Sequence, residues 1–125
     1  MKSLIYCAMP ARMKDKKDKI MDFVSESGDA PFHPFQAFPY ERFEGGRIGR
    51  NKTMEFCIRA VEICDEFYLF GISEGTLYET SHARKIGKPI KSLVKKFDSD
   101  WKKYYDMFIL KPDYKQIILD VVGKK

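Results

Sequence analysis

The sequence predicts a three-layer α/β sandwich on a mostly parallel sheet of four to five strands. Short apolar runs rich in aromatic and branched residues recur along the chain, among them Leu4 to Met9, Phe67 to Phe70 and Ile90 to Val94. Between them the apolar period lengthens to that of a helix, as in Met54, Cys57, Ile58, Val61 and Cys64. Strands that alternate with amphipathic helices call for a sheet covered on both faces.

The run from Leu4 to Met9 gives the first buried strand, closed by Pro10. From Ala11 to Ser27 a helical stripe of Met13, Ile20, Phe23 and Val24 continues until Gly28 stops it. Ala30 to Phe35 holds two prolines, which allows a short strand running into a loop. Pro34 to Arg50 has no period. It is aromatic at Phe35, Phe38, Tyr40 and Phe43, then glycine-rich at Gly45, Gly46 and Gly49, the composition of a binding loop or lid. An amphipathic helix from Asn51 to Cys64 feeds the Phe67 strand, which Gly71 ends. Ser73 then caps a helix with Glu79 near its start, in line with Ala83 and Ile86.

After the fourth strand, Ile90 to Val94, there is room for a fifth between Lys95 and Leu110. Trp101, Tyr104, Tyr105 and Phe108 follow helical spacing and present an aromatic face, suited to a second copy of the chain or to closing the domain's own core. Pro112 opens a last helix with Tyr114, Ile117, Ile118 and Val121 inward. This order is flavodoxin-like or Rossmann-like. The first strand runs into CAMPAR and not GxGxxG, which argues against a standard NAD domain.

A chain of 125 residues, 44% hydrophobic and 14% aromatic, suits one folded domain over 1–125. No apolar run approaches the roughly 18 residues that span a bilayer, and MKSLIYCAMP does not read as a secretory leader, so no membrane partner is expected. Cys7, Cys57 and Cys64 lie in apolar patterns without a CxxC pair, which suits reduced thiols in a cytoplasm, and no metal-ligand spacing is present. The net charge of +5 is dispersed: Lys14, Lys16, Lys17 and Lys19 alternate with Asp15 and Asp18. That pattern favours a small anionic ligand over a nucleic-acid polymer.

Three strand ends bring polar residues to one crevice, where open α/β sheets bind ligands. Tyr6 and Arg12 lie at and after the first, His33 at the second, and Ser73, Glu74, Gly75 and Glu79 after the third. A carboxylate on a core-facing stripe serves either ligand chemistry or a structural pair with an arginine. Arg12 is a phosphate ligand or a solvated helix start, and His33 a packed side chain or a catalyst. Arg47 and Arg50 clamp an anion or face water, and Phe35 stacks on a base or covers the core.

The strand-loop-helix CDEFYLFG-ISEGTLYE-TSHARKIGKPI resembles the nucleoside 2-deoxyribosyltransferase-like superfamily. The likeness extends to LIYCAMPAR, PFHPFQAF and RIGRNKTMEFCIRAVEICD, covers roughly Leu4 to Leu93, and is greatest to an uncharacterised phage and prokaryotic branch. The helices from about residue 97 onward fall outside it. The resemblance implies that Glu79 attacks the anomeric carbon of a nucleoside or nucleoside monophosphate, with Tyr6 orienting it and no cofactor. It also implies a homodimer or higher oligomer, since family enzymes often complete one subunit's site with another's residues. The family carries a further acid near the position of Cys57, where this chain has none. That departure favours the alternative, a non-catalytic nucleotide-binding or sensing module using the same crevice.

Overall fold

Alternating side chains on short apolar segments build the sheet. In the computed structural model, which describes residues 2–125, the strands are β1 (Leu4–Ala8), β2 (Ala30–Phe32), β3 (Glu66–Leu69) and β4 (Ile90–Ser92). All pair in parallel, in the order β2-β1-β3-β4. Along β1 and just past it, Ile5, Cys7 and Met9 point to one face and Tyr6 and Ala8 to the other, so each face has its own core.

Helix α1 (Lys17–Glu26) covers the first face. It is shorter than the expected helix from Ala11, because the chain kinks at the buried Met13 and forms a 3₁₀ segment over Ala11–Lys16. Gly28, at φ +87°, ends the helix as expected. After a short turn of helix α2 (Pro34–Ala37), helices α3 (Arg50–Ile63) and α4 (Glu74–Lys85) cover the opposite face. The step from β1 to β2 and the steps from β2 to β3 and β3 to β4 run in opposite directions across the sheet. Right-handed crossovers therefore place α1 on one side and α3 and α4 on the other. The reversal falls between β1 and β3, where a crevice opens at the strands' carboxyl ends.

Among the described residues no fifth strand forms between Lys95 and Leu110. The backbone turns at Leu93 (ψ 18°) into α5 (Val94–Phe97) and then α6 (Trp101–Phe108), because the aromatic spacing there is helical. Tyr105 and Phe108 are buried in the chain's own core, with Trp101 and Tyr104 packed beside them. Of the two uses open to that face, the structure shows the second: its buried side chains close the domain's own core. Helix α7 (Pro112–Ile117) continues into a π-helical turn over Ile118–Val122, closed by the Gly123 N–H donating to Ile118 O. The wider turn rotates the stripe by one residue, so Val122 is buried where Val121 was expected.

Two contacts fix the crevice's base. A Cβ at Gly71 would overlap Met13 Sδ and the Pro10 ring, so the chain leaving β3 passes the chain leaving β1 only because that position lacks a side chain. Arg12 bridges the same region. Its Nη1 and Nη2 donate to the two Asp98 carboxylate oxygens at 2.7 and 2.8 Å, Nη2 also reaches Ile72 O at 2.6 Å, and the guanidinium lies 3.7 Å from the Tyr104 ring centre. Among the described residues, no helix is long and apolar enough to cross a membrane.

Candidate functional site

The loop after β3 enters α4 through a reciprocal cap. Ser73 Oγ accepts the Thr76 N–H at 3.1 Å, and Thr76 Oγ1 accepts the Ser73 N–H at 2.9 Å. The cap sets the helix phase, which puts Glu79 on the sheet side of the second turn, not at the helix start. Its buried companions on the helix are Thr76, Leu77, Thr80 and Ala83. Ile86, expected on the same line, is 43% exposed because the helix ends at Lys85.

Tyr6 meets Glu79 from the sheet. In register, Tyr6 lies opposite Phe32 on one neighbouring strand and Phe67 on the other. The three rings stack across the strands, with centroids 5.9 and 5.5 Å apart and planes within 17° and 12°. Held this way, the Tyr6 hydroxyl donates to Glu79 Oε2 at 2.6 Å. Burial pushes the Glu79 carboxyl up to about 7, against the opposing pull of the Tyr6 hydroxyl and the Cys57 thiol. Burial and the adjacent carboxylate likewise raise Tyr6 well above its ordinary value, so it stays a neutral donor. Burial beside Glu79 pushes Cys57 to about 12, which leaves it an uncharged thiol. Among the described residues, no ion pair includes Glu79. Of the two readings open for Glu79, the structural pair with an arginine is therefore not the one seen.

Glu79 lines a cleft of about 150 Å³ between α3, α4 and the segment after β2. Of the residues expected at a site, Phe35, Arg50, Ser73, Glu74 and Gly75 line it as well. Tyr6 meets Glu79 from the sheet and is not itself in the wall, and the remaining three lie elsewhere. Arg12 is committed to Asp98 and Ile72. His33 caps α2, its Nδ1 accepting the Phe35 N–H at 3.3 Å, and burial holds the ring neutral with its pKa lowered to about 4. Arg47 is exposed in a turn and is not part of the cleft wall. The aperiodic segment is anchored by Phe38, whose ring lies 5.2 Å from Phe43 and 5.9 Å from Phe56.

Two features escaped the sequence. Glu44, within that segment, lines the cleft and accepts from Arg50 Nη1 at 2.7 Å. With no period around it, nothing in the sequence says which way it faces. The aspartate that holds Arg12, Asp98, lies 86 positions away in a segment without a recognisable motif. Asp65 accepts the Leu4 N–H at 2.8 Å, a link between strand starts at the opposite end of the sheet. Among the described residues, no group of three or more His, Cys, Asp or Glu side chains is arranged to hold a metal ion.

Fold and cleft together define a doubly wound α/β domain with a desolvated carboxylate at its topological switch point. No protein-family model matches the chain, and no curated protein matches it.

Proposed function

We propose that the protein cleaves or transfers at the N-glycosidic bond of a small nucleoside or nucleoside monophosphate, with Glu79 as the nucleophile. The observation that carries this reading is the pairing of a buried, cation-free carboxylate with a tyrosine hydroxyl 2.6 Å away, at the wall of a cleft. A structural glutamate is ordinarily exposed or ion-paired. One that remains desolvated at a sheet's switch point is suited to chemistry.

A Glu79 oxygen attacks the anomeric carbon while the bond to the base nitrogen breaks. The base leaves with the bonding pair and takes up a proton from solvent water. Water, or a second base, then displaces Glu79 from the sugar. Donation from Tyr6 holds Oε2, leaving Oε1 as the attacking atom.

The test is a panel of nucleosides and 5′-monophosphates, with free base followed by chromatography. The expected result is base release that depends on Glu79. Because the nucleophile must be ionised, kcat/KM rises with pH through about 7 and levels off above it. Tyr6→Phe removes a bond that lowers the Glu79 pKa, so the midpoint of that rise moves to higher pH. An unchanged profile in Tyr6→Phe contradicts the assigned role.

One observation favours a second reading, a binding module without turnover. Cys57, at the position where the resemblance implies a further acid, touches the catalytic pair as a neutral thiol. Saturable nucleotide binding with no base released selects that reading.

A further inference from the structure

The polar groups around the cleft divide into those already satisfied and those with capacity left. Thr53 Oγ1 donates to Gly49 O at 2.7 Å, Thr76 Oγ1 donates to Gly71 O at 2.8 Å, and Ser73 Oγ accepts from the Thr76 backbone. These hydroxyls are committed to helix starts and turns. Glu44 differs. Among the described residues its carboxylate, on a side chain 25% exposed, has one partner, Arg50 Nη1 on Oε1 at 2.7 Å, and Oε2 has none. A carboxylate accepts about four hydrogen bonds, so Glu44 offers most of its capacity to whatever enters. Arg50 fixes the orientation of that carboxylate.

Charge points the same way. Three carboxyl groups line the cleft, those of Glu44, Glu74 and Glu79, against a single guanidinium, Arg50, already tied to Glu44. The amino ends of α3 and α4 open here and add roughly half a positive charge each, which offsets their adjoining acids. A phosphate dianion brought into the cleft meets carboxylates with no uncommitted cation in the wall among the described residues. A neutral sugar hydroxyl meets an unoccupied acceptor. The volume of about 150 Å³ is below the roughly 300 Å³ of the smaller drug-sized pockets and suits a pentose, with the base extending outward.

Resting on the glycosidic reading above, we infer that the cleft takes an unphosphorylated nucleoside, and that Glu44, oriented by Arg50, accepts a hydrogen bond from a sugar hydroxyl and sets this preference. It would supply from the loop a carboxylate that Cys57 cannot supply from α3. Glu44 is then a specificity-determining residue, and Arg50 a positioning one.

The probes are adenosine, its 2′-deoxy and 3′-deoxy analogues, 2′-deoxycytidine, and the 5′-monophosphates of adenosine and 2′-deoxycytidine. Base release and dissociation constants by calorimetry are measured on the wild type, Glu44→Gln and Arg50→Gln, with melting temperature as the control for folding. The wild type is expected to favour each nucleoside over its monophosphate by at least about tenfold, and to lose about tenfold when one sugar hydroxyl is removed, as for a hydrogen bond to a charged group. In Glu44→Gln, KM for the nucleoside rises about tenfold with kcat little changed. The phosphate discrimination shrinks towards unity, and the hydroxyl loses its effect. Arg50→Gln widens the discrimination against phosphate and weakens nucleoside binding, and it carries the test if the Glu44 variant does not fold.

A wild type that prefers the monophosphates overturns the inference, as does a folded Glu44→Gln protein with unchanged KM and unchanged preference. If no probe releases base, the glycosidic reading fails by itself, and the dissociation constants decide this one. Nucleosides bound more tightly than monophosphates, in a manner that needs Glu44, support it; equal affinity, or none, overturns it.

Discussion

Glu79→Gln is expected to lower base release by about 10⁴-fold while leaving the protein folded and, above pH 7, more stable than the wild type. The two effects share a cause. The buried carboxyl keeps its proton up to about 7, whereas the unfolded chain releases it near 4.5. Between those values the native state binds the extra proton, so wild-type stability falls as pH rises through that window. The loss is on the order of 3 kcal/mol and is complete above about pH 7. Glutamine accepts the Tyr6 hydroxyl without that ionisation, so melting temperatures of the two proteins should diverge from pH 4.5 to 7 and run parallel beyond. A variant that is less stable than the wild type at pH 8 contradicts this picture of an unpaired buried acid.

The largest loss of stability is expected at Asp98, outside the cleft. Its side chain is fully buried and accepts four hydrogen bonds: two from Arg12, one from the Ile72 N–H and one from the Asp100 N–H, the last two at 3.1 Å. Asp98→Ala leaves the Arg12 guanidinium and two backbone donors without their acceptor, a cost of about 3–5 kcal/mol. The melting temperature should fall by about 10–20 °C for a chain of this length. Burial alone would raise the Asp98 carboxyl, but the bonds from Arg12 and the two backbone N–H groups outweigh it and hold the carboxyl below its ordinary value. Its contribution is therefore full above the ordinary carboxylate range and is lost as pH falls through the depressed value. Thermal melts should show the gap between variant and wild type closing in strong acid. A constant gap down to low pH would assign the effect to lost packing instead of lost charge.

Sheet and helix order were legible because their causes are local. The apolar run at Phe67, the stripe of Cys57 and Val61, and the Ser73 cap each carry a period or a motif within a few residues. Glu79 was legible for the same reason: a carboxylate on a core-facing stripe breaks a pattern. Its second-turn position and the shift from Val121 to Val122 depend on the phase of individual helices, and composition does not fix those phases. The partners of Arg12 and Arg50 were illegible in different ways. Asp98 is brought to Arg12 by the fold across 86 positions, and Glu44 lies in a segment without any period. The aromatic stripe from Trp101 to Phe108 reads equally as an interface or an inner wall until α6 is seen against the sheet.

A bond between Glu79 and the sugar can be caught as a trapped adduct. A fluorine at C2′ of an arabinofuranosyl nucleoside destabilises the cation-like transition state and slows release of the sugar from the enzyme. Incubation with such a nucleoside, followed by intact-protein mass and peptide mapping, should show one fluoropentosyl group on the wild type, on the peptide that contains Glu79, and none on Glu79→Gln. An adduct on another residue, or base released from ordinary nucleosides with equal efficiency by both proteins, would exclude Glu79 as the nucleophile.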